Sequence, residues 1–568
     1  MSSQNSFKLP IEYLKDKIKL DDQLKIDFDY KNIYNILFKT KDRYTEKVKD
    51  NWGKYYTNNK HYLKSTQKII KTMDISLNNT IIEDAYNIIN DFDNEDNFLN
   101  KYNYININLL KQFNQNIHVL QGISTYKLMS PILSLMLPIL VLIFPFILMK
   151  LRGIDISVEN YIQLLKNIVS KYSIGKLFTD FSSQNLTKKV YIVFSAFFYL
   201  FQIYQNCKTC LLFYNYIRKF KEYITKIQRF ILHIDNTMNI FISKYQKLKG
   251  YRKFIKSLLI QRENIKIFNI EIENIDISDD NKINLSTITK IGLLMKSFYN
   301  IYLKKENVDM FEFLFKWCGF IKNMNDIKLL HIDKTINNAK FNTKKTELCN
   351  FYFPPLLLLE KQAKIVTNNV NLNNNFIITG PNASGKTTII KGIGINILLS
   401  QQIGFGFYDS ASVYLYDRIH SYINIPDTSG RDSLFQAEVK RCNKIISDIN
   451  KYKRHLCILD ELYSGTNISE AIACGYSFIE YLNRNKNVNM VLTTHYYKLC
   501  GLVENNNKNS ERKKVLNKGM DVVDNNYTYK LKNGITNIKG GIQVLKKISY
   551  PNEIVKNALK IMNDLYEI

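Results

Sequence analysis

Acidic residues are scarce in this chain. Asp and Glu total 51 against 79 Lys and Arg, which leaves a formal charge of +28 on 568 residues. An imbalance of that sign points to an anionic partner, nucleic acid or an acidic membrane face. Arginine is scarce beside lysine, and the basic residues are scattered rather than gathered into one block. Lys, Asn, Ile and Tyr crowd the chain and all have A/T-rich codons, so a biased genome explains much of the excess and weakens the charge as evidence. A cysteine framework is missing too. Of eight cysteines only Cys207 and Cys210 form a C-x-x-C, with no second pair or histidine nearby. That argues against a disulfide scaffold and against a zinc site, and favours the reduced thiols of an intracellular protein. The opening stretch MSSQNSFKLPIEYLKDK has no apolar region, so no cleavable signal peptide is expected there. No internal repeat stands out.

Hydrophobic residues make up 45% of the chain, ample for a buried core. The length suits roughly three or four domains. Residues 1–127 are polar, and IEYLKDKIKL and YNIINDFDNEDNFLNKY are patterned as amphipathic helices. Leu128 to Met149 is different: 22 residues with no charged and no amide side chain. As a helix it would extend about 33 Å, against roughly 30 Å of bilayer hydrocarbon. Lys127 before it, and Lys150 and Arg152 after it, are placed to reach headgroups. Pro131, Pro138 and Pro145 recur every seven residues, near one helix face. Each would cost a soluble helix about 3 kcal/mol, whereas lipid-embedded helices tolerate them better. The run reads as a membrane span, with a buried helix of a large soluble core as the alternative.

Val190 to Tyr214 is a weaker second candidate, apolar and aromatic until QNCKTC interrupts it. A second span, an interfacial helix and a buried helix all stay open. With two spans, the N-terminus and the C-terminal domain share one side. The intervening loop carries Lys150, Arg152, Lys166, Lys171, Lys176, Lys188 and Lys189, unusual for an outside loop, so the charge rule leaves topology open. From 215 to 345 apolar positions step by three and four, with Lys and Arg on the other face. This pattern expects long helices packed as a bundle or lever.

From 346 the texture changes. Short apolar strands, FIITG, HLCILDE and VNMVLTTH, alternate with helical stretches, the pattern of a parallel sheet with crossovers. The loop from Gly380 to Thr387 fits G-x-x-x-x-G-K-[ST] between a strand and a helix. Gly380 and Gly385 permit the turn and let backbone N–H groups approach phosphates. The helix starting near Lys386 points its positive end at them. The candidate nucleotide-binding residues are Gly380, Pro381, Asn382, Ala383, Ser384, Gly385, Lys386, Thr387 and Thr388. Lys386 is expected to reach the β- and γ-phosphates, and the Thr387 hydroxyl to bind Mg²⁺. Asp460 would hold the Mg²⁺ and Glu461 would polarise the attacking water. His495, at the end of another strand, can touch the γ-phosphate or that water. Alone it would be read as structural; after the loop and the acidic pair it reads as catalytic, with Glu461 and Lys386.

These pieces, in this order, resemble the ATPase domain of the MutS family of DNA mismatch repair proteins. IVTNNVNL (365–372) resembles the strand before the family's P-loop, and GPNASGKTT that loop itself. QQIGFGFYDSASVYLYDRI (401–419) resembles the helix end and strand that follow. SGRDSLFQAEV (429–439) resembles the serine-containing motif, LDELYSGTN the Walker B and dimer-facing loop, and TTHYYKL the histidine motif. Residues 527–559 resemble the closing hairpin and helix. The resemblance covers about 346–565. It excludes a transporter ATPase, since no LSGGQ-like signature precedes the acidic pair and Leu462 stands where proline is usual.

The resemblance implies an ATP- and Mg²⁺-dependent ATPase that dimerises through composite sites, with Ser433 reaching the partner's γ-phosphate in trans. The family's mismatch-sensing domain, with its Phe-x-Glu wedge, has no counterpart. Phe220-Lys-Glu222 reads as a coincidental match within a helical stretch, and no nuclease-like extension is expected after the ATPase. The apolar segments resemble MutS-like proteins that combine this ATPase with membrane spans.

The expected fold is an α/β P-loop ATPase domain of the ABC/MutS-like type at 346–568. Ahead of it stand mostly α-helical regions: a helical N-terminal region at 1–127, a membrane region at 128–214 with one or two transmembrane helices, and a lever-like region at 215–345. The expected function is a dimeric ATPase coupled to DNA binding in repair or recombination. It would be membrane-associated with the ATPase on the cytosolic side, or else soluble and intracellular. The alternative is a membrane-anchored, ATP-driven switch or structural protein with a non-DNA client.

Overall fold

The computed structural model describes residues 6–90, 95–154, 156–169, 185–273, 288–342, 345–359, 365–423, 425, 433–449, 454–508, 513–523, 526–536, 545 and 548–564. The chain forms two compact units. One comprises Met1–Asn5, Asn78–Asn236 and Ile260–Phe313; the other comprises Ser6–Leu77, Thr237–Leu259 and Leu314–Ile568. Both units are discontinuous in sequence.

The second unit holds all thirteen strands found among the described residues. They are β1 (Lys17–Lys19), β2 (Tyr55–Thr57), β3 (Asn337–Asn342), β4 (Glu347–Phe351), β5 (Asn368–Asn371), β6 (Asn375–Thr379), β7 (Phe405–Gly406), β8 (Ser410–Tyr414), β9 (Arg418–Tyr422), β10 (His455–Asp460), β11 (Val488–Thr494), β12 (Val515–Val523) and β13 (Asn526–Asn533). The main sheet has the order β13-β12-β6-β11-β10-β9, and every pairing in it is parallel except β12 with β13. β6, β10 and β11 read NFIIT, HLCILD and VNMVLTT and are buried almost throughout. Strands buried on both faces require such unbroken apolar runs. A second sheet has the order β5-β4-β8-β3-β7. β3 lies inside the stretch 215–345 that the sequence pattern assigned to helices; it pairs in parallel with β8.

The helix Lys386–Gln402 follows β6 and is buried nearly all round, polar residues included. The sheet covers one side. Residues 6–77 contribute to the other, and that cover explains the buried amides. The Gln401 amide donates to Thr57 O and Tyr416 O at 3.2 and 2.8 Å, and its carbonyl accepts from Tyr416 N–H at 2.8 Å. Gln402 accepts from the Tyr34 hydroxyl at 2.6 Å. A Cβ on Gly394 would lie 2.4 Å from the Phe28 ring, so only glycine lets the two segments close. The N-terminal stretch is therefore part of the body that carries the glycine-rich loop. At its edge, buried Asp27 accepts from Arg441 at 3.3 Å and from Ser421.

The first unit is helical among its described residues. It includes the helices Asn79–Ile89, Ile117–Leu151, Val158–Val169 and Ile291–Leu303, and residues 186–236 of the helix Leu186–Tyr245. The last of these runs unbroken through QNCKTC, because none of those residues breaks a helix. An aromatic cluster of Phe98, Tyr102, Phe220 and Phe298 forms its core, with Phe220 and Phe298 stacked at 4.2 Å. Phe220 is thus a core residue, and Glu222 pairs with Lys226 one turn on, as expected of a coincidental motif match. Among the described residues one helix, Leu186–Tyr245, is long and apolar enough to cross a membrane by length and composition.

Candidate nucleotide site

β6 ends at Thr379 and the helix begins at Lys386, so residues 380–385 form the connecting loop. Gly385 caps the helix at φ +93°, a conformation that favours glycine. Lys386 is folded back over the loop. Its ammonium donates to Gly380 O at 3.0 Å and Pro381 O at 3.3 Å, and it lies 3.2 Å from His495 Nε2 and 3.8 Å from Glu461 Oε1. Burial pulls its pKa below the usual lysine value, while Glu461 and Asp460 oppose that shift. Glu461 Oε1 and His495 Nε2 are 2.7 Å apart. The hydrogen bond from His495 holds the Glu461 carboxyl below its ordinary range, against an opposing effect of burial.

Asp460 takes the other arm of the site. Its Oδ2 accepts from the Thr387 hydroxyl at 2.8 Å, and its Oδ1 accepts from Thr493. Burial raises its pKa, with the Thr493 and Thr387 hydrogen bonds opposing. Register explains the convergence. β10 and β11 pair Asp460 with Thr493, and β11 and β6 pair Thr494 with Thr379. The three strands end at one level, so loop, acidic pair and histidine meet above their C-terminal ends.

An open cleft of about 580 Å³ adjoins them. Asn382, Ala383, Ser384, Gly385, Lys386, Thr387, Thr388 and Glu461 line one side. Phe351, Tyr352, Phe353, Leu356, Ile365 and Val366 supply an apolar wall, and Tyr529 also borders the cleft. The sequence reading missed that wall. The available signal was the run FYFPPLLLL just ahead of β5, an aromatic and proline-rich stretch next to a polar loop. Gly380 and Pro381 contribute carbonyls to Lys386 rather than a surface to the cleft.

The site fits a phosphate-bearing ligand. The Ser384 hydroxyl is buried and has no hydrogen-bond partner, although it sits in the loop beside a buried ammonium. A buried donor without a partner costs about 1–3 kcal/mol, which a bound phosphate oxygen would recover. Thr387 and Asp460 present two hard oxygens side by side. Among the described residues no group of three His, Cys, Asp or Glu could hold a metal by itself. Mg²⁺ bound through one or two protein oxygens completes its shell with phosphate and water, so the pair suits it.

Ser433 does not line the cleft. It caps the helix Leu434–Asp448, accepting from Gln436 N–H at 3.3 Å, while Gln436 reaches back to its N–H at 3.1 Å. The part of its motif at 429–432 lies outside the described residues, as do Lys171 and Lys176 of the basic loop and 537–544 of the C-terminal segment. Residues 546–547 lie outside as well; of 527–559 the structure describes most of β13, which pairs antiparallel with β12 ahead of the segment, and the start of the helix Asn552–Asp564.

The sheet order and the strand-to-helix G-x-x-x-x-G-K-T loop define a mixed α/β domain with a candidate nucleotide site. Residues 376–566 match the family model described as MutS domain V. The DNA mismatch repair protein MutS of Prochlorococcus marinus (strain MIT 9312) is 32% identical over 212 residues, covering 36% of this chain and 22% of that protein. MutS of Chlorobium chlorochromatii (strain CaD3) is 32% identical over 195 residues, covering 33% and 21%. MutS of Clostridioides difficile (strain 630) is 29% identical over 244 residues, covering 41% and 25%. The C-terminal region is therefore MutS-like, and the match spans about a quarter or less of each relative's length.

Proposed function

We propose that this chain is a MutS-like ATPase that works as a homodimer with composite sites, coupled to DNA binding in repair or recombination without mismatch sensing. The observation that carries the reading is the contact network of Lys386, Thr387, Asp460, Glu461 and His495, of which Lys386, Thr387 and Glu461 line the cleft beside the unpartnered Ser384 hydroxyl. Lys386 and Ser384 would bind the phosphates, and Thr387 and Asp460 would hold Mg²⁺. When bound, Mg²⁺ supplies charge neutralisation on the phosphate oxygens. Glu461, kept ionised by His495, would orient a water and accept its proton. Ser433, exposed at the start of its helix, would reach the partner copy's site. In this reading Glu461→Gln binds ATP normally, loses turnover by about 100-fold or more, and accumulates as dimer in ATP. Wild-type turnover in that variant removes Glu461 from its role. Stimulation of the ATPase by DNA, falling steeply with salt, supports the DNA client; no response to DNA moves the reading to a non-DNA client.

Membrane anchoring with the nucleotide site on the cytosolic side is the second element of the proposal. It is favoured by the uncharged run 128–149 and by the apolar length of Leu186–Tyr245.

A further inference from the structure

We propose that 128–149 and 190–214 enter the bilayer as one antiparallel two-helix hairpin, locked where the Tyr199 hydroxyl meets the carbonyl that Pro138 leaves free. The inference rests on the membrane reading above and adds its topology. It begins with proline. A proline at position i has no N–H, so the carbonyl at i−4 loses its helical partner. Pro131, Pro138 and Pro145 therefore free the carbonyls of Lys127, Ser134 and Val141. In water such carbonyls take solvent; in hydrocarbon each unsatisfied group costs several kcal/mol and must be met from within the protein. Two are met by hydroxyls. Ser130 Oγ donates to Lys127 O at 3.0 Å, and Tyr199, on the other helix, donates to Ser134 O at 2.9 Å. Beside the third proline, Phe146 N–H donates to the Tyr161 hydroxyl at 3.1 Å. Ser134 closes its own hydroxyl onto Ser130 O and Pro131 O.

The interhelical contacts set the direction. Lys127 lies over the Phe213 ring at 5.3 Å, Cys210 Sγ donates to Leu128 O at 3.3 Å, and Tyr199 meets Ser134. One series rises while the other falls, so the helices run antiparallel. Lys127 and Phe213 mark one end; Lys150 and Arg152 on one helix and Lys188 and Lys189 on the other fall towards the opposite end. Over most of its length the pair bares bulky apolar side chains, with Ile132, Leu137, Phe144, Val193, Phe198 and Leu200 all exposed, while the exposed Gln202, Gln205 and Lys208 lie towards the Lys127 end. Helices that satisfy two of their three proline-freed carbonyls from hydroxyls yet bare bulky hydrocarbon outward fit lipid as the occupant. The run of 22 residues, about 33 Å, matches a bilayer's roughly 30 Å, with basic residues at both ends to reach headgroups. An even number of spans returns 127 and 214 to one side and leaves 150–189 on the other.

The test uses the full chain in sealed vesicles with the nucleotide domain outward. One version carries a protease site after Gly153 and another carries it after Lys247. Cleavage after Lys247 but, without detergent, not after Gly153 is the expected result, in chains that resist alkaline carbonate. Cleavage at both in carbonate-resistant chains overturns the hairpin while leaving membrane attachment. Release by carbonate overturns the membrane reading itself. For the lock, Tyr199→Phe removes only the hydroxyl and is expected to lower the unfolding midpoint in detergent, whereas Tyr191→Phe, on the exposed surface of the same helix, is not. Equal midpoints overturn the lock.

Discussion

Glu438→Gln tests whether the loop that carries Glu461 is held in place from outside the cleft. Glu438 lies in the helix capped by Ser433 and is 2% exposed. Its carboxylate accepts three hydrogen bonds, from Ser464 N–H at 3.0 Å, Ser464 Oγ at 2.9 Å and Gly465 N–H at 3.2 Å. The loop needs such a hold, because Glu461 and Tyr463 both have left-handed backbones, at φ +49° and +59°. The approach is close: a Cβ on Gly465 would lie 2.8 Å from Phe435 N. Glutamine keeps the shape but sets an amide N–H against one of these donors and removes the charge from the others. A hydrogen bond to a charged group contributes about 1.5–3 kcal/mol. A loss of about 2 kcal/mol is a factor of about 30 in the ratio of ordered to disordered loop. We expect kcat for ATP hydrolysis to fall, by up to about 30-fold. Nucleotide affinity should hold, because Glu438 does not line the cleft. Steady-state kinetics with a nucleotide titration separate the two. An unchanged kcat would refute the reasoning, and a parallel loss of affinity would show general misfolding of the site instead.

Two further outcomes follow from the same geometry. Ser433→Ala removes the helix cap, at a cost of roughly 1 kcal/mol, as well as the proposed contact to a partner's nucleotide, whereas Ser433→Asn keeps a capping oxygen. Loss of ATP-driven dimerisation in both variants, read by light scattering, is expected; recovery in the Asn variant would reduce Ser433 to a cap. The Glu461–His495 contact has a pH signature. Glu461 is depressed by His495, so the contact contributes stability above the ordinary carboxylate pKa of 4.5 and loses it as pH falls through the lower folded value. The melting-point difference between wild type and Glu461→Gln is therefore expected to shrink between pH 6 and pH 3, and a difference that stays flat would dissociate the pKa from the contact.

The elements that carry the candidate site were legible because their pattern is local. Loop, acidic pair and histidine each sit at the end of an apolar strand, and the parallel register of β6, β10 and β11 gathers strand ends. The apolar wall from Phe351 to Leu356 was not legible. Its role comes from folding back over the loop, and no periodicity reports that. Ser433 was legible as a motif, whereas its helix cap needed the dihedral angles of residue and helix together.

By itself the sequence determined the strand-loop-helix unit around Lys386, the order of the chemical motifs and the uncharged length of 128–149. All three depend on residues close in the chain, where turn chemistry and hydrophobic pattern act directly. Tertiary structure alone decided the rest. It set residues 6–77 against the Lys386 helix through Phe28, Tyr34 and Thr57, and it fastened the Glu461 loop to Glu438. It also brought Tyr199 to the carbonyl that Pro138 frees. The physical reason is common to these contacts: each joins a donor or a small residue to a partner far along the chain. Such pairs have no pattern in the sequence until packing brings them together.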